Sequence, residues 1–456
     1  MLFTDFNFWF FFLFVIFIIQ LNFKFLKSIN FQNTFLLFAS YLFYAYWDWR
    51  FLSLIIIVSL QTFHFGKLIK IFNKKKKIYL VYSVLINLFV LFFFKYFNFF
   101  SKEFANLLNL NNDLVLNTII LPVGISFYIF QSLTYVFDIY LEKINPEKNI
   151  INYFAYVAFF PQLVAGPIER ASSLLPQFLK LKGINIKNFY LGFKYIMIGM
   201  SFKIVIADYL ASYVDRIFEM YYELSGGILL LGSLLFSIQI YCDFCGYSLI
   251  AIGVAKIIDF NLSKNFDTPY YSTSLKNFWR KWHISLSNFF KDYVYIPLGG
   301  SRSKTSFKFF RNIMITFTLS GIWHGANWTF FIWGFLNGLF LSMQNIFKVK
   351  LPQIISWILT LLLISFLWII FRSLTIHDAY NYITRIFLDF QLPEISRELI
   401  IILIYYCSID FLLFKYKEIS QIWFKNFIVQ NYILFSMLVI LFLTNNSQTN
   451  FIYFEF

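Results

Sequence analysis

Long apolar stretches alternate with short polar segments along most of the chain. Windows of about 20 residues, the length that an α-helix needs to cross a bilayer, lie near residues 6–23, 31–47, 51–66, 78–97, 117–138, 188–207, 226–257, 311–346, 352–371, 398–414 and 429–444. The window at 311–346 is long enough for two helices. The pattern therefore predicts an all-α, polytopic membrane protein with about eleven transmembrane helices.

Two further stretches do not fit a simple crossing. Residues 151–170 contain Pro161, Gly166 and Pro167, and residues 276–299 carry several charges. Irregular backbone is tolerated at membrane depth only where protein or water covers it. We therefore expect both stretches to be re-entrant or interfacial pieces.

Composition supports the membrane assignment. Of the 456 residues, 59% are hydrophobic and 13% are charged, whereas ordinary globular chains have about 25% charged residues. The first apolar run follows Asp5 and lacks a basic segment and a cleavage site, which indicates a retained span. No soluble domain or internal repeat is visible, so we expect residues 1–456 to form a single integral membrane domain.

The formal net charge of +15 comes from basic residues that cluster between apolar runs. This placement indicates membrane topology rather than nucleic-acid binding, because basic loops stay in the cytoplasm. Placing the four lysines at 74–77 inside also puts the basic loop at 256–311 inside. The same assignment puts the N-terminus and the tail at 445–456 outside.

The chain has four histidines, the side chain best suited to acid–base work near neutral pH. His64 ends an apolar run, where a hydrogen-bonded structural role is expected, and His377 lies in a solvated loop. His324 lies between two apolar stretches that would otherwise span the bilayer, with Gly321 and Gly325 beside it. An ionisable group at that depth is costly, so His324 is a candidate for catalysis, with a packed helix-breaking turn as the alternative.

His283 falls in a segment with helical periodicity. One face carries Lys276, Arg280, His283, Ser287 and Lys291, and the other carries Phe278, Trp282, Leu286, Phe289 and Tyr293. This pattern predicts a basic amphipathic helix. The helix either grips anionic membrane lipid or lines a cytoplasmic cavity that attracts anions, in which case Lys276, Arg280, Lys281 and Lys291 are candidate ligands.

Polar residues inside apolar windows indicate an interior rather than a lipid-facing surface. They are Gln131, Asp138, Gln239, Tyr241, Asp243 and Asn327. Hydrogen bonds between helices are the common use of such groups, and Asp243 stands out because a charge needs a partner. Cys242 and Cys245 form an isolated CxxC, which we interpret as packing rather than a metal site.

Several motifs together resemble the membrane-bound O-acyltransferase (MBOAT) family, in the branch of alginate and peptidoglycan O-acetylation and teichoic-acid D-alanylation. They are LPVGISFY at 121–128, FPQLVAGPI at 160–168, WRKWH at 279–283, YIPLGG at 295–300 and WHGANW at 323–328. The resemblance covers most of the chain from about Phe94 onward. The sequence departs from the pattern at 241–253, with Cys245 where many members have serine and Leu249 where they have aspartate.

The resemblance implies the MBOAT fold and roles for three residues. His324 matches the catalytic histidine, and His283 matches the second functional histidine. The ending FIYFEF at 451–456 is similar to a terminal FxYxxF motif, which makes Tyr453 an acyl acceptor in the extracytoplasmic tail.

With the resemblance, these inferences lead us to expect an O-acetyltransferase of a bacterial cell (inner) membrane that serves a cell-envelope polysaccharide. Peptidoglycan is favoured, and alginate or another exopolysaccharide stays open. We expect cytoplasmic acetyl-CoA as the donor, no metal, and transfer through acyl-tyrosine to a periplasmic SGNH-type O-acetyltransferase. Two alternatives remain open at this point. One is a transporter of a lipid-linked or anionic solute, and the other is a D-alanyl transferase that uses a carrier protein.

Overall fold

The computed structural model describes residues 1–108, 119–164, 166–302, 305–347 and 351–416. These residues form helices and turns, and no β-strand occurs among them, so the all-α prediction is confirmed. The chain divides into two compact units. Of the described residues, those within Met1–Phe193 and Ala251–Ser263 form the first unit, and those within Lys194–Ile250 and from Lys264 to Tyr416 form the second.

Nine α-helices begin among the described residues of the first unit. They are α1 (Phe6–Leu21), α2 (Ile29–Asp48), α3 (Leu52–Ile71), α4 (Lys76–Leu91), α5 (Phe97–Leu107), α6 (Ile125–Tyr140), α7 (Ile150–Val157), α8 (Ala171–Leu174) and α9 (Ile186–Met200). Short π-helical turns extend α1 and α4, and Ser28 caps α2 by accepting a hydrogen bond from the Phe31 amide. The last residues of α9 belong to the second unit.

The core of the first unit is built around α6, most of whose residues are buried. Helix α3 packs against it so closely that a Cβ on Gly66 would lie 2.5 Å from the Tyr135 ring. Buried polar groups tie neighbouring segments together. Asn33 donates to Asn152 over 2.9 Å, and the Tyr153 hydroxyl donates to Thr62 over 2.7 Å.

The stretch at 151–170 is irregular, as the sequence indicates. Helix α7 ends at Val157, turns follow, and the backbone returns to a helix only at Ala171. Protein covers this segment, since Phe159, Phe160 and Leu163 are buried. Glu169 is also buried and accepts a hydrogen bond from the Ser263 hydroxyl over 2.7 Å. Burial raises the pKa of the Glu169 carboxyl.

Nine further α-helices follow in the described part of the chain. They are α10 (Asp208–Glu219), α11 (Gly226–Ile257), α12 (Leu275–Lys281), α13 (Ile284–Phe290), α14 (Ser306–His324), α15 (Trp328–Phe347), α16 (Gln353–Arg372), α17 (Ile376–Leu388) and α18 (Arg397–Tyr416). A π-helix at Ser201–Ala207 joins α9 to α10. One apolar core of the second unit brings together Ile217, Leu229, Ile369, Tyr382 and Ile386.

Eight helical segments in the described ranges are long and apolar enough to cross a membrane. The predicted windows at 31–47 and 51–66 fall in one continuous segment, Ile29–Ile71. The window at 117–138 is helical from Ile125, and the window at 429–444 lies outside the described residues. A multi-pass membrane protein is therefore confirmed. The expectation of a single domain, and the orientation of the termini, stay predictions.

Candidate functional site

A tight helical hairpin positions His324. Helix α14 ends at His324, Gly325 caps it in an extended conformation, and α15 begins at Trp328. The two helices touch through Gly321, where a Cβ would lie 2.3 Å from the Phe330 carbonyl oxygen. Only glycine permits this approach of two backbones. The window at 311–346 therefore does form two helices, with His324 at their junction.

Aromatic rings surround the His324 imidazole, which is buried. Its ring centroid lies 5.0 Å from that of Trp323, 5.1 Å from that of Trp333 and 5.4 Å from that of Phe371. All three rings meet it edge to face. The His324 imidazole therefore lies in a largely aromatic setting.

The helix predicted across His283 is interrupted there, which corrects the expectation of one continuous amphipathic helix. Helix α12 ends at Lys281, His283 is left-handed with φ of 41°, and α13 starts at Ile284. A non-glycine residue in this conformation is uncommon. Periodicity did not reveal the break because the polar and apolar spacing continues through it. The break turns the imidazole inward, and His283 is 1% exposed.

Hydrogen bonds and rings fix the His283 side chain. Its Nδ1 lies 3.1 Å from the Asn265 Oδ1. Its ring centroid is 4.6 Å from that of Phe244 and 6.1 Å from that of Trp323. Burial lowers the pKa of His283 to about 3, so the imidazole is neutral at physiological pH. Since Trp323 also contacts His324, one indole touches both histidines.

A cavity of about 460 Å³ unites these groups within the second unit. Residues that line it include His283, His324, Lys276, Arg280 and Lys291. The three cationic residues are exposed, whereas the two histidines are buried. The predicted polar face is thus brought together at one cavity although its helix is broken. Lys281 is not among the lining residues, and its ammonium lies 5.9 Å from the Phe414 ring centroid.

The rest of the lining is largely apolar or neutral. Trp279, Phe290, Phe309 and Phe317 supply aromatic surface, and Ser287, Asn288, Ser320 and Asn345 supply hydrogen-bonding groups. Apart from Ser287 on the predicted polar face, none of these residues was singled out as a site from the sequence. A cavity of about 300–1,000 Å³ with a few convergent polar groups is typical of small-molecule sites.

Asp243 lies elsewhere in the second unit, in a buried ionic cluster. The Lys203 ammonium contacts Asp208 Oδ1 and Asp243 Oδ1, each at 2.7 Å. It also lies 5.6 Å from the Tyr247 ring centroid. The expectation that Asp243 needs a partner is met by Lys203, which sequence reasoning missed. Lys203 and Asp208 are five residues apart, and the intervening π-helix brings residues at this spacing together.

The other polar candidates have structural contacts outside the cavity lining. Asn327 donates to the Leu374 carbonyl over 2.8 Å and accepts from the Thr329 amide, which fixes the start of α15. Gln239 is buried on α11. Tyr241 donates to Asp410 over 3.0 Å, and Gln131 donates to the Tyr156 carbonyl. Asp138 pairs with Lys143 at 3.3 Å.

The other two histidines and the two neighbouring cysteines are not among the residues that line the cavity. His64 is exposed on α3, and His377 is exposed in the first turn of α17. Cys242 and Cys245 are buried free thiols. Within the described ranges, no group of three or more His, Cys, Asp and Glu side chains is placed to hold a metal ion. Tyr453 lies outside the described residues.

The arrangement suits transfer chemistry on an anionic small molecule. Exposed cations attract an anion to the mouth of the cavity. A buried imidazole can accept a proton from a substrate group inside the cavity.

Comparisons with known proteins point to the same chemistry. The model of the membrane-bound O-acyltransferase family, MBOAT, matches residues 41–371. A probable alginate O-acetylase of Azotobacter vinelandii is 36% identical over 398 residues, which cover 85% of this chain and 79% of the relative. A peptidoglycan O-acetyltransferase of Helicobacter pylori is 35% identical over 390 residues, covering 77% and 73%. A teichoic acid D-alanyltransferase of Bacillus subtilis is 28% identical over 240 residues, covering 50% and 59%.

Proposed function

The chain belongs to the membrane-bound O-acyltransferase family and is a multi-pass membrane O-acyltransferase, and we propose that it moves acetyl from cytoplasmic acetyl-CoA to the extracytoplasmic side. The accepting polymer is a cell-envelope polysaccharide, with peptidoglycan favoured. The observation that carries this proposal is the cavity that holds two buried histidines behind three exposed cations. Family membership decides against the transporter alternative.

The donor binds through charge at the mouth of the cavity and through apolar contact inside it. Acetyl-CoA carries several phosphate charges, which Lys276, Arg280 and Lys291 attract. Its thioester arm extends past Trp279 and Phe317 toward the histidines. Lys281 lies outside the lining, so its contribution is limited to the local field.

His324 acts as the general base. It takes the proton of the accepting hydroxyl while the hydroxyl oxygen attacks the thioester carbonyl carbon. A C–O bond forms, the C–S bond breaks, and the leaving thiolate takes the proton back from the His324 imidazolium. His283 orients the donor or acceptor beside it. Both roles are supported by the burial of the two imidazoles in one cavity.

The first acceptor is Tyr453 in the C-terminal tail. Phenol has a reference pKa of about 10, well below that of a sugar hydroxyl, so an acetyl-tyrosyl ester remains activated. The terminal FIYFEF motif and the predicted outside position of the tail support this step. A periplasmic SGNH-type O-acetyltransferase then carries the acetyl group to the polymer.

Acetyl is favoured over D-alanyl as the transferred group. The acetyltransferase relatives match most of this chain at 35–36% identity, whereas the D-alanyltransferase matches half of it at 28%. The built-in tyrosine motif also removes the need for a separate tyrosine-bearing peptide.

The test is to incubate the purified full chain with acetyl-labelled acetyl-CoA and map the label by mass spectrometry. We expect label on Tyr453 in the wild-type protein, and none in His324→Ala. In Tyr453→Phe, loss of both label and polymer acetate supports the relay. Retained polymer acetylation in Tyr453→Phe would indicate direct transfer, and retention in His324→Ala would remove the catalytic assignment. Acetate on isolated peptidoglycan, compared with exopolysaccharide, identifies the polymer.

A further inference from the structure

One buried asparagine holds the side chain of His283. Asn265 is 1% exposed, as is His283. The Asn265 Oδ1 lies 3.1 Å from His283 Nδ1 and accepts a hydrogen bond from the Ser285 hydroxyl over 2.8 Å. It also accepts from the Ser285 backbone amide at 3.3 Å. On the other side, the Asn265 Nδ2 donates to the Ser248 hydroxyl over 3.1 Å.

The backbone amide of Ser285 determines which way the asparagine amide points. An amide nitrogen and oxygen look alike in many structures, so their assignment must come from their partners. A backbone N–H only donates, so the Asn265 atom that faces it must be the oxygen. That same oxygen faces His283 Nδ1. An oxygen acceptor requires a donor, which places the imidazole proton on Nδ1.

We propose that Asn265 is a positioning residue that fixes His283 as the Nδ1–H tautomer, so that Nε2 meets the substrate as a hydrogen-bond acceptor. The role in transfer rests on the proposed function, whereas the tautomer does not. Through Nε2, His283 accepts a hydrogen bond from an N–H or O–H group of the bound substrate. It therefore does not donate a hydrogen bond to the oxyanion that forms on the thioester carbonyl.

The backbone around His283 reinforces this orientation. The Ile284 amide donates to the Asn265 carbonyl over 2.8 Å, and the Asp267 amide donates to the Lys281 carbonyl over 2.9 Å. These two bonds bracket the left-handed turn at His283. Because they involve main-chain atoms, a substitution of the Asn265 side chain leaves both possible.

The surroundings keep the imidazole neutral. Its ring contacts include Phe244, Phe266 and Trp323, which carry no charge. The titratable or cationic groups that line the same cavity are His324, Lys276, Arg280, Lys291 and Tyr295. Burial lowers the pKa of His283, which agrees with a neutral ring that carries its single proton on Nδ1.

The direct test of the tautomer is nitrogen NMR of the full chain labelled with ¹⁵N-histidine, with His283→Gln used to assign the signals. We expect Nδ1 to be protonated and Nε2 unprotonated at neutral pH. In Asn265→Leu, the protonated-Nδ1 signal should be lost or joined by that of the other tautomer. A protonated Nε2 in the wild-type protein would overturn the proposal. This measurement needs no acyl donor, so it stands or fails separately from acetyl transfer.

The kinetic test compares Asn265→Leu with a matched control variant by the release of CoA from acetyl-CoA. Asn265→Leu should lower kcat about 10- to 100-fold, part of the roughly 10²–10⁴-fold that a positioned acid–base group contributes. Asn337→Leu is the matched control, since Asn337 is a buried asparagine that donates to the Trp333 carbonyl and is not among the residues that line the cavity. Equal activity of Asn265→Leu and Asn337→Leu would overturn the positioning role.

Asn265→Asp separates positioning from folding. Its carboxylate still accepts from Nδ1, so the tautomer and much of the activity should remain near pH 8. The carboxylate also stabilises the imidazolium and raises the pKa of His283. Activity of Asn265→Asp should therefore fall as pH decreases through a range in which the wild-type protein keeps it. If activity of Asn265→Asp depends on pH in the same way as that of the wild-type protein at low pH, residue 265 does not contact the His283 imidazole during the reaction.

Discussion

Two buried polar regions of the second unit differ in how their charges are satisfied. In the ionic cluster, the Lys203 ammonium lies 2.7 Å from carboxylates of both Asp208 and Asp243. At the cavity, His283 and His324 are buried against aromatic rings and face a space of about 460 Å³. The cluster is closed by its own members, whereas the cavity leaves room for another molecule. Burial of a polar group thus indicates function only where the group lines such a space.

The largest expected effect on stability comes from opening the ionic cluster. Lys203→Met leaves two carboxylates buried without their ammonium, and losing one partner of a buried ion pair costs about 3–5 kcal/mol. We expect a large fall in the thermal unfolding temperature of the purified protein. Replacing all three residues by Met, Leu and Leu at 203, 208 and 243 should restore much of it. If Lys203→Met is as stable as the wild-type protein, the ionic cluster does not have a structural role.

A smaller effect is expected from crowding the hairpin that carries His324. A Cβ in Gly321→Ala would meet backbone atoms of Phe330 and Gly334 at 2.3 Å and 2.9 Å. Overpacking of this kind costs about 1–3 kcal/mol, and the displacement should also reduce transfer. Gly338→Ala is the control in the same hairpin. A Cβ at this position would lie nearest to the flexible Met314 sulfur, at 3.2 Å. Equal effects on activity would argue against the close contact at Gly321.

The cations at the cavity mouth should affect donor binding more than chemistry. Removing Lys276, Arg280 or Lys291 one at a time should raise KM for acetyl-CoA about fivefold, since an exposed charge contributes up to about 1 kcal/mol. The effect should shrink at high salt. Lys281→Ala should give the smallest change of the four because its side chain lies outside the lining. An equal rise in KM in all four variants would indicate that a general electrostatic field, and not a defined binding site, attracts acetyl-CoA.

The smallest effect is expected at the histidines outside the cavity. His64 and His377 are both exposed, and substitutions at such positions change stability by less than about 0.5 kcal/mol. Alanine at either position should leave the rate of CoA release near the wild-type value. A tenfold loss in either variant would mean that the cavity does not contain all the working histidines.

Hydropathy and periodicity predict much of this molecule. The membrane spans follow from apolar length, and the irregular segment at 151–170 follows from its prolines. The polar face of 276–291 also predicts which side chains share the cavity. These properties depend on local sequence, which is why they can be read from it.

Contacts between distant segments could not be predicted. Asn265 reaches His283 across 18 residues, and Lys203 reaches Asp243 on another helix. The break at His283 depends on backbone bonds to 265–267, which no periodicity reports. The sequence contains one sign of the ionic cluster. Lys203 lies in an apolar window, five residues before Asp208.

The most direct test of the account is the activity of His324→Gln at matched stability, measured as CoA release from acetyl-CoA and as thermal unfolding of the same sample. The account predicts a fall in kcat of about 10²–10⁴-fold with an unfolding temperature close to that of the wild-type protein. Retained transfer in His324→Gln, or a loss explained by unfolding alone, would contradict the claim that the cavity histidines carry the chemistry.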